Sequence, residues 1–321
     1  MAPSLLPVEI LESVFRFLPH PALAVVARAG PALHPLALRV LYRVLSVSNA
    51  PHDAPPSVVC TLANRPDIAR HVRSFALALD HSDSLFHSQL ATALSAMPAL
   101  VSLDIFTDAG SWVLPHTLVY TQLHHFACSF SLDSRVAAFF NQCTALESVQ
   151  VDSTSWESPL VPASLPRLAE FTGSSSAAAV VVPGRPVESI HINSGELTED
   201  LVLALAQSTA MLTVLSITTN SAPMPLLKML GQHLPHIMYL RITSTCNLPA
   251  PPTTIFYEEV AEALAFFPSL ESFELSGMYW PSSKQPHDPQ RVWQSQPFTT
   301  ESDPQDEVVD IYSNTADFFF S

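Results

Sequence analysis

Apolar residues recur along the chain in a short, repeated spacing. In residues 267–275, FPSLESFEL, the apolar positions Leu270, Phe273 and Leu275 are separated by polar ones, and such alternation is typical of a half-buried β-strand. The same spacing, with apolar residues at the first, fourth and sixth positions, occurs nine times at intervals of about 25 residues. The segments begin at Val72, Leu100, Leu123, Leu146, Leu168, Val187, Leu212, Ile237 and Leu270.

Helical patterns precede several of these segments. SQLATALSAM precedes Leu100 with apolar residues on one helical face, PLLKMLGQHL precedes Ile237, and YEEVAEALAFF precedes Leu270. Repeated alternation of helix and strand predicts an α/β fold with a curved parallel sheet and helices on its convex side. Each unit is too small to bury its apolar face alone, so neighbouring units must cover one another.

The strand pattern L-x-x-L-x-L and its period resemble those of leucine-rich repeats. In that family a small polar residue follows eight positions after the first leucine, where its side chain bonds the backbone of the adjoining turn. The corresponding positions hold Asp80, Asp108, Ser131, Thr154, Ser176, Gly195, Asn220, Thr245 and Met278. Met278 departs from the pattern, which indicates that the ladder of strands ends at the ninth repeat.

The N-terminal 45 residues have a different pattern. The apolar positions 10, 11, 14, 15 and 18 have helical spacing, and Pro19 and Pro21 end that helix. ALAVVARA, closed by Gly30 and Pro31, predicts a second helix, and LALRVLYRVL predicts a third. Three short helices bury little surface by themselves, so they need a partner or the repeats that follow.

This N-terminal segment resembles the F-box over about 40 of the 321 residues. Ala22 replaces the usual acidic residue, Leu33 stands where tryptophan is frequent, and Leu41-Tyr42 replaces the closing leucine-tryptophan pair. Leu23 and Val26 match the later L-x-x-(L/V) stretch. The opening motif is matched by Leu6, Pro7, Glu9, Ile10, Leu11, Val14, Phe15, Leu18 and Pro19.

F-box proteins with C-terminal leucine-rich repeats form a known class, and the resemblance implies a function. The F-box would dock on a Skp-family adaptor, and through it on a cullin–RING ubiquitin ligase, while the repeats hold a protein substrate. The alternative is that some of the F-box residues pack inward on their own core or on the first repeat. The resemblance assigns the adaptor face to Leu6, Pro7, Ile10, Leu11, Phe15 and Leu18.

The substrate would meet the side chains that point away from the core, because successive residues of a strand face opposite sides. Acidic residues outnumber Arg241 there, which favours a basic substrate segment, and Arg and Tyr are enriched at binding hot spots. A solvated sheet face without a ligand is the alternative. The residues assigned to this face are Asp104, His125, Gln150, Asp152, Glu170, His191, Asn193, Tyr239, Arg241 and Glu274.

These patterns divide the chain into four parts. We expect an F-box domain over 1–48, a linker over 49–66, about nine irregular leucine-rich repeats over 67–280, and an acidic, disordered tail over 281–321. The proline-rich segment 246–257 lengthens one repeat interval. It is expected to be a loop, either a plain connection or a substrate contact beside the strand edge.

Composition excludes several classes of protein. The formal charge is −15, which argues against nucleic acid as a partner because phosphate contacts need clustered Lys and Arg. The sequence has no apolar run of about 18 residues and no signal-peptide pattern at its N-terminus, so neither a membrane span nor secretion is expected. We therefore expect a cytoplasmic or nuclear protein whose four cysteines are reduced.

Sequence motifs of catalysis are missing. The four cysteines form no CxxC spacing, and the 13 histidines form no HExxH motif, so no metal site is expected. No GxSxG elbow, P-loop or GxGxxG occurs either, and we expect no cofactor and no enzymatic activity. Two alternatives remain open: a repeat scaffold whose degenerate F-box only caps the repeats, and a hydrolase built on the repeat frame.

Overall fold

A single large sheet dominates the computed structural model, which describes residues 7–48, 57–79, 84–115, 118–151, 160–245, 253–280, 282–284 and 291–293. The sheet has 11 strands whose spatial order equals their order in the chain. The first ten are parallel, and the last is antiparallel to its neighbour. The strands are β1 Val44–Ser48, β2 Ser74–Ala78, β3 Ser102–Phe106, β4 His125–Cys128, β5 Ser148–Val151, β6 Glu170–Ser174, β7 Ser189–Ser194, β8 Val214–Thr219, β9 Tyr239–Ser244, β10 Ser272–Leu275 and β11 Met278–Trp280.

Short helices connect most of the strands, so the molecule is a mixed α/β protein, compatible with an α/β solenoid. A separate hairpin pairs β12 Ser282–Lys284 with β13 Arg291–Trp293. Within the described ranges, no helix combines the length and apolarity needed to cross a bilayer. The helices are α1 Val8–Phe15, α2 His20–Ala29, α3 His34–Leu41, α4 Ser57–Asn64, α5 Pro66–Ala69, α6 Ser84–Ser95, α7 Ser134–Gln142, α8 Ser175–Val181, α9 Glu199–Leu205, α10 Pro223–His233 and α11 Thr254–Leu264.

The nine segments with the repeated spacing are the nine strands β2 to β10. Their register aligns equivalent apolar positions: Phe75 pairs with Leu103, Leu103 with Phe126, and Phe126 with Val149. These side chains are almost fully buried. Rows of apolar side chains therefore run across the sheet and form one continuous core, as the repeated pattern predicts.

Hydroxyl side chains bond the backbone where the strands end, although not only at the predicted eighth position. The Ser129 hydroxyl donates to Thr107 O at 3.1 Å and accepts from Thr107 N–H at 3.2 Å. Ser276 accepts from Ser244 N–H at 2.9 Å. Both serines stand six positions after the first apolar residue of their repeat. Thr245, at the eighth position, donates to a carbonyl of β8.

Helices α1 to α3 have a small core of their own, separate from the main one. The prediction of a third helix reaching residue 45 is wrong: α3 ends at Leu41, and Leu45 pairs with Phe75 across β1 and β2. The first strand of the sheet thus lies inside the predicted domain 1–48. The buried residues of the small core are Phe15, Leu23, Ala27, Leu36 and Ala37.

The predicted linker 49–66 is also wrong over its second half. Residues 57–64 form α4, and Val59 and Leu62 are fully buried in the main core. Residues 49–56 lie outside the described ranges. The apolar positions of SVVCTLAN have helical spacing, and their burial beneath the first repeat makes this segment part of the repeat domain.

The end of the repeat domain differs from the prediction too. The chain turns at Gly277, whose φ is +83°, and β11 returns antiparallel to β10, so the ladder does not end at the ninth repeat. The tail predicted from residue 281 is wrong at its start, because β12 and β13 pair and Trp293 is buried in the main core. The loop predicted over 246–257 gives way to α11 at Thr254, while 246–252 lie outside the described residues.

Candidate functional site

One side of α1 is apolar and exposed. Ile10 and Val14 are each half exposed, and Phe17, which continues the helical turn through a hydrogen bond to Val14 O, is 89% exposed. Pro7 precedes the helix and is also exposed. Positions 7, 10, 14 and 17 follow the spacing of one helical face, so these side chains form an apolar strip, which we name the α1 stripe.

The structure separates the residues that resemblance assigned to an adaptor face. Pro7 and Ile10 are exposed and belong to the α1 stripe. The assignment of Phe15 is wrong, because its side chain is buried in the small helical core, and Leu11 and Leu18 pack partly against that core. Leu6 lies outside the described residues. The helix has apolar residues on two sides. Leu11, Phe15 and Leu18 form the side that faces the small helical core.

The strand residues assigned to the substrate lie on the side of the sheet that points away from the core. We name the strand side chains on that side the outer sheet face. Register places Asp104, His191, Arg241 and Glu274 in one row across the sheet, with small or polar residues of the intervening strands between them. Glu170 and Tyr239 occupy the adjacent row. Asp152 lies outside the described residues.

Two basic side chains contact carboxylates within this face. Arg241 Nε lies 3.3 Å from Glu274 Oε1 on the next strand. Near the other end of the row, His125 Nε2 lies 3.1 Å from Asp104 Oδ1. The side chains are partly exposed, and such pairs contribute only about 0–1 kcal/mol to stability. Arg241 neutralises Glu274 on the neighbouring strand, which weakens the charge argument for a basic substrate segment at that end of the row.

His191 is a partly buried titratable residue in the middle of the row. Burial lowers its pKa, and the positive charge of Arg241 lowers the pKa further. Ser216, almost fully buried, stands between the two in register. His191 is therefore neutral at pH 7 and can both donate and accept a hydrogen bond. Two strands away, on β9, the Tyr239 hydroxyl donates to Glu271 Oε2 at 3.2 Å.

A shallow polar cleft lies where β7, β8 and β9 end. Its volume is about 300 Å³. Glu196 is its one ionisable side chain, so the cleft offers mainly hydroxyl and amide groups for hydrogen bonding. The cleft and the outer sheet face together form a surface suited to contacts with a polypeptide. The residues that line the cleft are Asn193, Ser194, Gly195, Glu196, Thr218, Thr219, Asn220 and Thr245.

Other titratable side chains are buried inside the repeats. Burial raises the pKa of Cys143 to about 12, so this thiol stays protonated and unreactive at neutral pH. The Tyr120 hydroxyl, equally enclosed, donates to Leu94 O at 2.9 Å. Among the described residues, no three His, Cys, Asp or Glu side chains are grouped to hold a metal ion.

Two features of functional interest were not predicted. Val14 and Phe17 belong to the α1 stripe. The helical spacing of positions 7, 10, 14 and 17 in the sequence could have identified them. Arg185 is buried and bonded to backbone carbonyls, and no motif identifies it.

Comparison with models of protein families and with curated proteins finds no match to this chain.

Proposed function

We propose that this chain is a non-catalytic substrate-recognition adaptor of an SCF-type ubiquitin ligase. Helices α1 to α3 dock a Skp-family adaptor, which joins them to a cullin–RING ligase, and the outer sheet face holds a protein substrate. One observation supports the docking role above all others: the α1 stripe is exposed on a helical unit that already has its own core.

The exposed stripe is suited to protein binding. Full burial of an exposed apolar side chain contributes roughly 1.5–3 kcal/mol, so Phe17 offers the most and the half-exposed Ile10 and Val14 about half as much each. Apolar side chains at helical spacing that enter a partner's groove are a recurring mode of recognition. The stripe therefore offers three anchors whose burial by a partner would be favourable.

The small core of α1 to α3 is separate from the main core beneath the sheet, which argues against a degenerate F-box that only caps the repeats. A cap would place its apolar side chains against the first repeat. Phe15, Leu23 and Leu36 instead pack with one another, in a cluster distinct from the core beneath the sheet. A helical unit of this kind is expected to present its free face to another protein.

The substrate role rests on the outer sheet face and the adjoining polar cleft. Tyr239 and Arg241, both of residue types enriched at binding hot spots, lie on one strand and face the same side. Hydroxyl and amide groups line the cleft beyond them. The surface is broad and shallow, which favours a polypeptide segment over a small molecule.

Binding of a purified Skp-family protein to the full chain tests the docking role. Phe17→Ala removes the most exposed anchor, and we expect it to weaken binding by about tenfold or more, since central aromatic anchors are frequent hot spots. Ile10→Asp should abolish binding. Leu85→Asp is the matched control, because Leu85 is 73% exposed on α6, away from α1.

The outcome separates the two functions. Equal binding by Phe17→Ala, Ile10→Asp and Leu85→Asp, or no binding by the native chain, would overturn the adaptor proposal. If Ile10→Asp instead lowers the thermal stability of the repeats without removing a partner, the helices act as a cap. If the adaptor proposal holds, capture of proteins on a chain lacking α1 to α3 would identify substrates without their degradation.

A further inference from the structure

Strand β1 forms one edge of the main sheet. Among the described residues it pairs with β2 alone, whereas β2 to β10 each have a strand on both sides. Ser74 N–H donates to Arg43 O at 3.1 Å, so the odd-numbered residues of β1 direct their backbone groups to β2. The backbone N–H and C=O groups of Val44, Ser46 and Ser48 therefore point outward in the plane of the sheet.

These outward groups have no partner in the part of the chain that the structure describes. The side chains of Val44, Ser46 and Ser48 are exposed as well, Val44 by 57%. Edge strands are commonly protected by a charged residue, a proline or a bulge. β1, with the sequence VLSVS, contains neither charge nor proline, and its pairing with β2 is regular. The edge is therefore open to another strand.

The core beneath β1 is incomplete on the same side. Leu45 and Val47 face the core but are only partly buried, whereas their partners on β2, Phe75 and Leu77, are almost fully buried. Within the described ranges, no further strand covers Leu45 and Val47. Covering them would remove apolar surface from water, which favours association. A strand added at this edge should therefore supply apolar side chains on its core side.

A second copy of β1 meets these requirements. Antiparallel pairing about Ser46 places Ser46 opposite Ser46 and Val44 opposite Ser48 of the second copy, and this register joins the outward backbone groups through about six hydrogen bonds. On the core side, Leu45 then lies opposite Val47 of the second copy, and Val47 opposite Leu45. The register is symmetric, so both copies make the same contacts, as a closed two-fold dimer requires.

Neither charge nor the N-terminal helices oppose this pairing. Arg43, which immediately precedes β1, would lie about 20 Å from Arg43 of the second copy, beyond the screening length of about 8 Å at physiological salt. Helix α3 ends at Leu41, just before β1 begins. Because antiparallel strands begin at opposite ends, the two helical units enter the shared sheet from opposite ends.

We propose that two copies of this chain form a dimer by antiparallel pairing of their β1 strands, which joins their sheets into one. Five-residue strands bury little area compared with a standard interface of about 1,600 Å², so we expect a weak dimer with a Kd of roughly 1–100 µM. The dimer is independent of the proposed ligase function, since its contacts need neither a Skp-family protein nor a substrate.

Sedimentation equilibrium of the full chain between about 1 and 300 µM tests the dimer. We expect the mean mass to rise with concentration from 34.9 kDa toward twice that value. Ser46→Pro removes an outward N–H that β2 does not use, and proline is tolerated at strand edges, so this change should weaken the dimer at least tenfold. Ser46→Thr keeps the N–H and is the matched control, which should dimerise like the native chain.

Charge at the symmetry centre gives a second test. Ser46→Lys and Ser46→Glu each place two like charges opposite one another, so either variant alone should dimerise at least tenfold more weakly. Mixing the two should restore dimers, because lysine then faces glutamate, and this restoration excludes misfolding as the cause. Thr243→Lys, at an exposed position of β9, is the control and should dimerise like the native chain.

Amide hydrogen exchange followed by NMR locates the contact. The N–H groups of Val44, Ser46 and Ser48 should become protected only in concentrated samples, whereas those of Leu45 and Val47, bonded to β2, should exchange slowly at any concentration. A native chain that stays monomeric at about 300 µM, a dimer that Ser46→Pro leaves intact, or Lys and Glu variants that do not combine would overturn the proposal. No Skp-family protein is present, so such a failure leaves the adaptor proposal unaffected.

Discussion

Arg185 and Ser164, 21 residues apart in the chain, are joined by two hydrogen bonds inside the protein. Arg185 Nε donates to Ser164 O at 3.0 Å, and Nη2 donates to the Ser164 hydroxyl at 2.9 Å. Nη1 donates to Val181 O at 2.7 Å, at the C-terminal end of α8 where the helix dipole favours a cation. Only 3% of Arg185 is exposed.

Loss of the Arg185 guanidinium should therefore destabilise the fold. Arg185→Met leaves several buried carbonyl groups without donors, and we expect the free energy of unfolding to fall by roughly 3 kcal/mol or more. Urea denaturation followed by circular dichroism measures the change. Arg167→Met is the control, because Arg167 is exposed and should change stability by less than about 0.5 kcal/mol. Equal effects would contradict a structural role for Arg185.

Gly195 provides a second test, beside the polar cleft. Its φ is +98°, and a Cβ placed there would lie 2.0 Å from Ser175 Oγ. Gly184, with φ +75° and open space around it, is the matched control. Gly184→Ala should cost about 1–2 kcal/mol through backbone strain alone, and Gly195→Ala clearly more. Ser175→Gly should restore part of the loss in Gly195→Ala, and failure to do so would show that the clash is not the cause.

His191 should make stability depend on pH. Its pKa is lowered in the folded chain, so below the unfolded value of about 6.5 the unfolded state binds more protons. The stabilising effect of neutral His191 is thus complete above that pH and is lost as the pH falls through the folded pKa. Thermal unfolding between pH 7.5 and 5 should show a shallower dependence for His191→Gln than for the native chain.

A substitution can separate the two causes of the lowered His191 pKa, burial and the charge of Arg241. Arg241→Gln removes the neighbouring positive charge, and the pKa of His191, followed by NMR titration, should rise but stay below its ordinary value because burial is the first cause. A fully restored pKa would show that Arg241 alone is responsible. An unchanged pKa would show that its charge does not reach His191.

Trp280 should stabilise the last strands of the ladder. Its ring packs on Tyr257 and Phe273 at centroid distances of 5.2 and 5.5 Å. Its Nε1 has no hydrogen-bond acceptor among the described residues, so the contribution comes from packing. Trp280→Ala should cost about 3–5 kcal/mol in unfolding free energy, and Trp280→Phe much less. Equal costs would indicate a hydrogen bond at Nε1 instead.

The sequence pattern predicted the strands β2 to β10 well because each repeats the same requirement: two side chains on one face must be buried in register with a neighbour. β1 was missed for a physical reason. Leu45 and Val47 alternate as in a strand, yet they follow directly on a helical pattern, and the spacing of Leu41 and Leu45 also fits a helix. Only pairing with β2 decides between them.

The orientation of α1 could not be predicted in the same way. Apolar residues at 7, 10, 14 and 17 and at 11, 15 and 18 form two faces of one helix, and periodicity does not say which is covered. Contact with α3 places Phe15 inward. Arg185 was missed because an arginine after proline and glycine is typical of exposed loops, and its burial depends on segments that meet only in the fold.

The reversed direction of β11 affects how copies of this chain can meet. A long strand at the edge of a sheet exposes unpaired N–H and C=O groups, which can pair with the edge of another molecule and repeat into a filament. β11 has three residues and runs against the other strands, so it offers few such groups and no continuation of the parallel order. This end of the sheet thus disfavours fibrous aggregation.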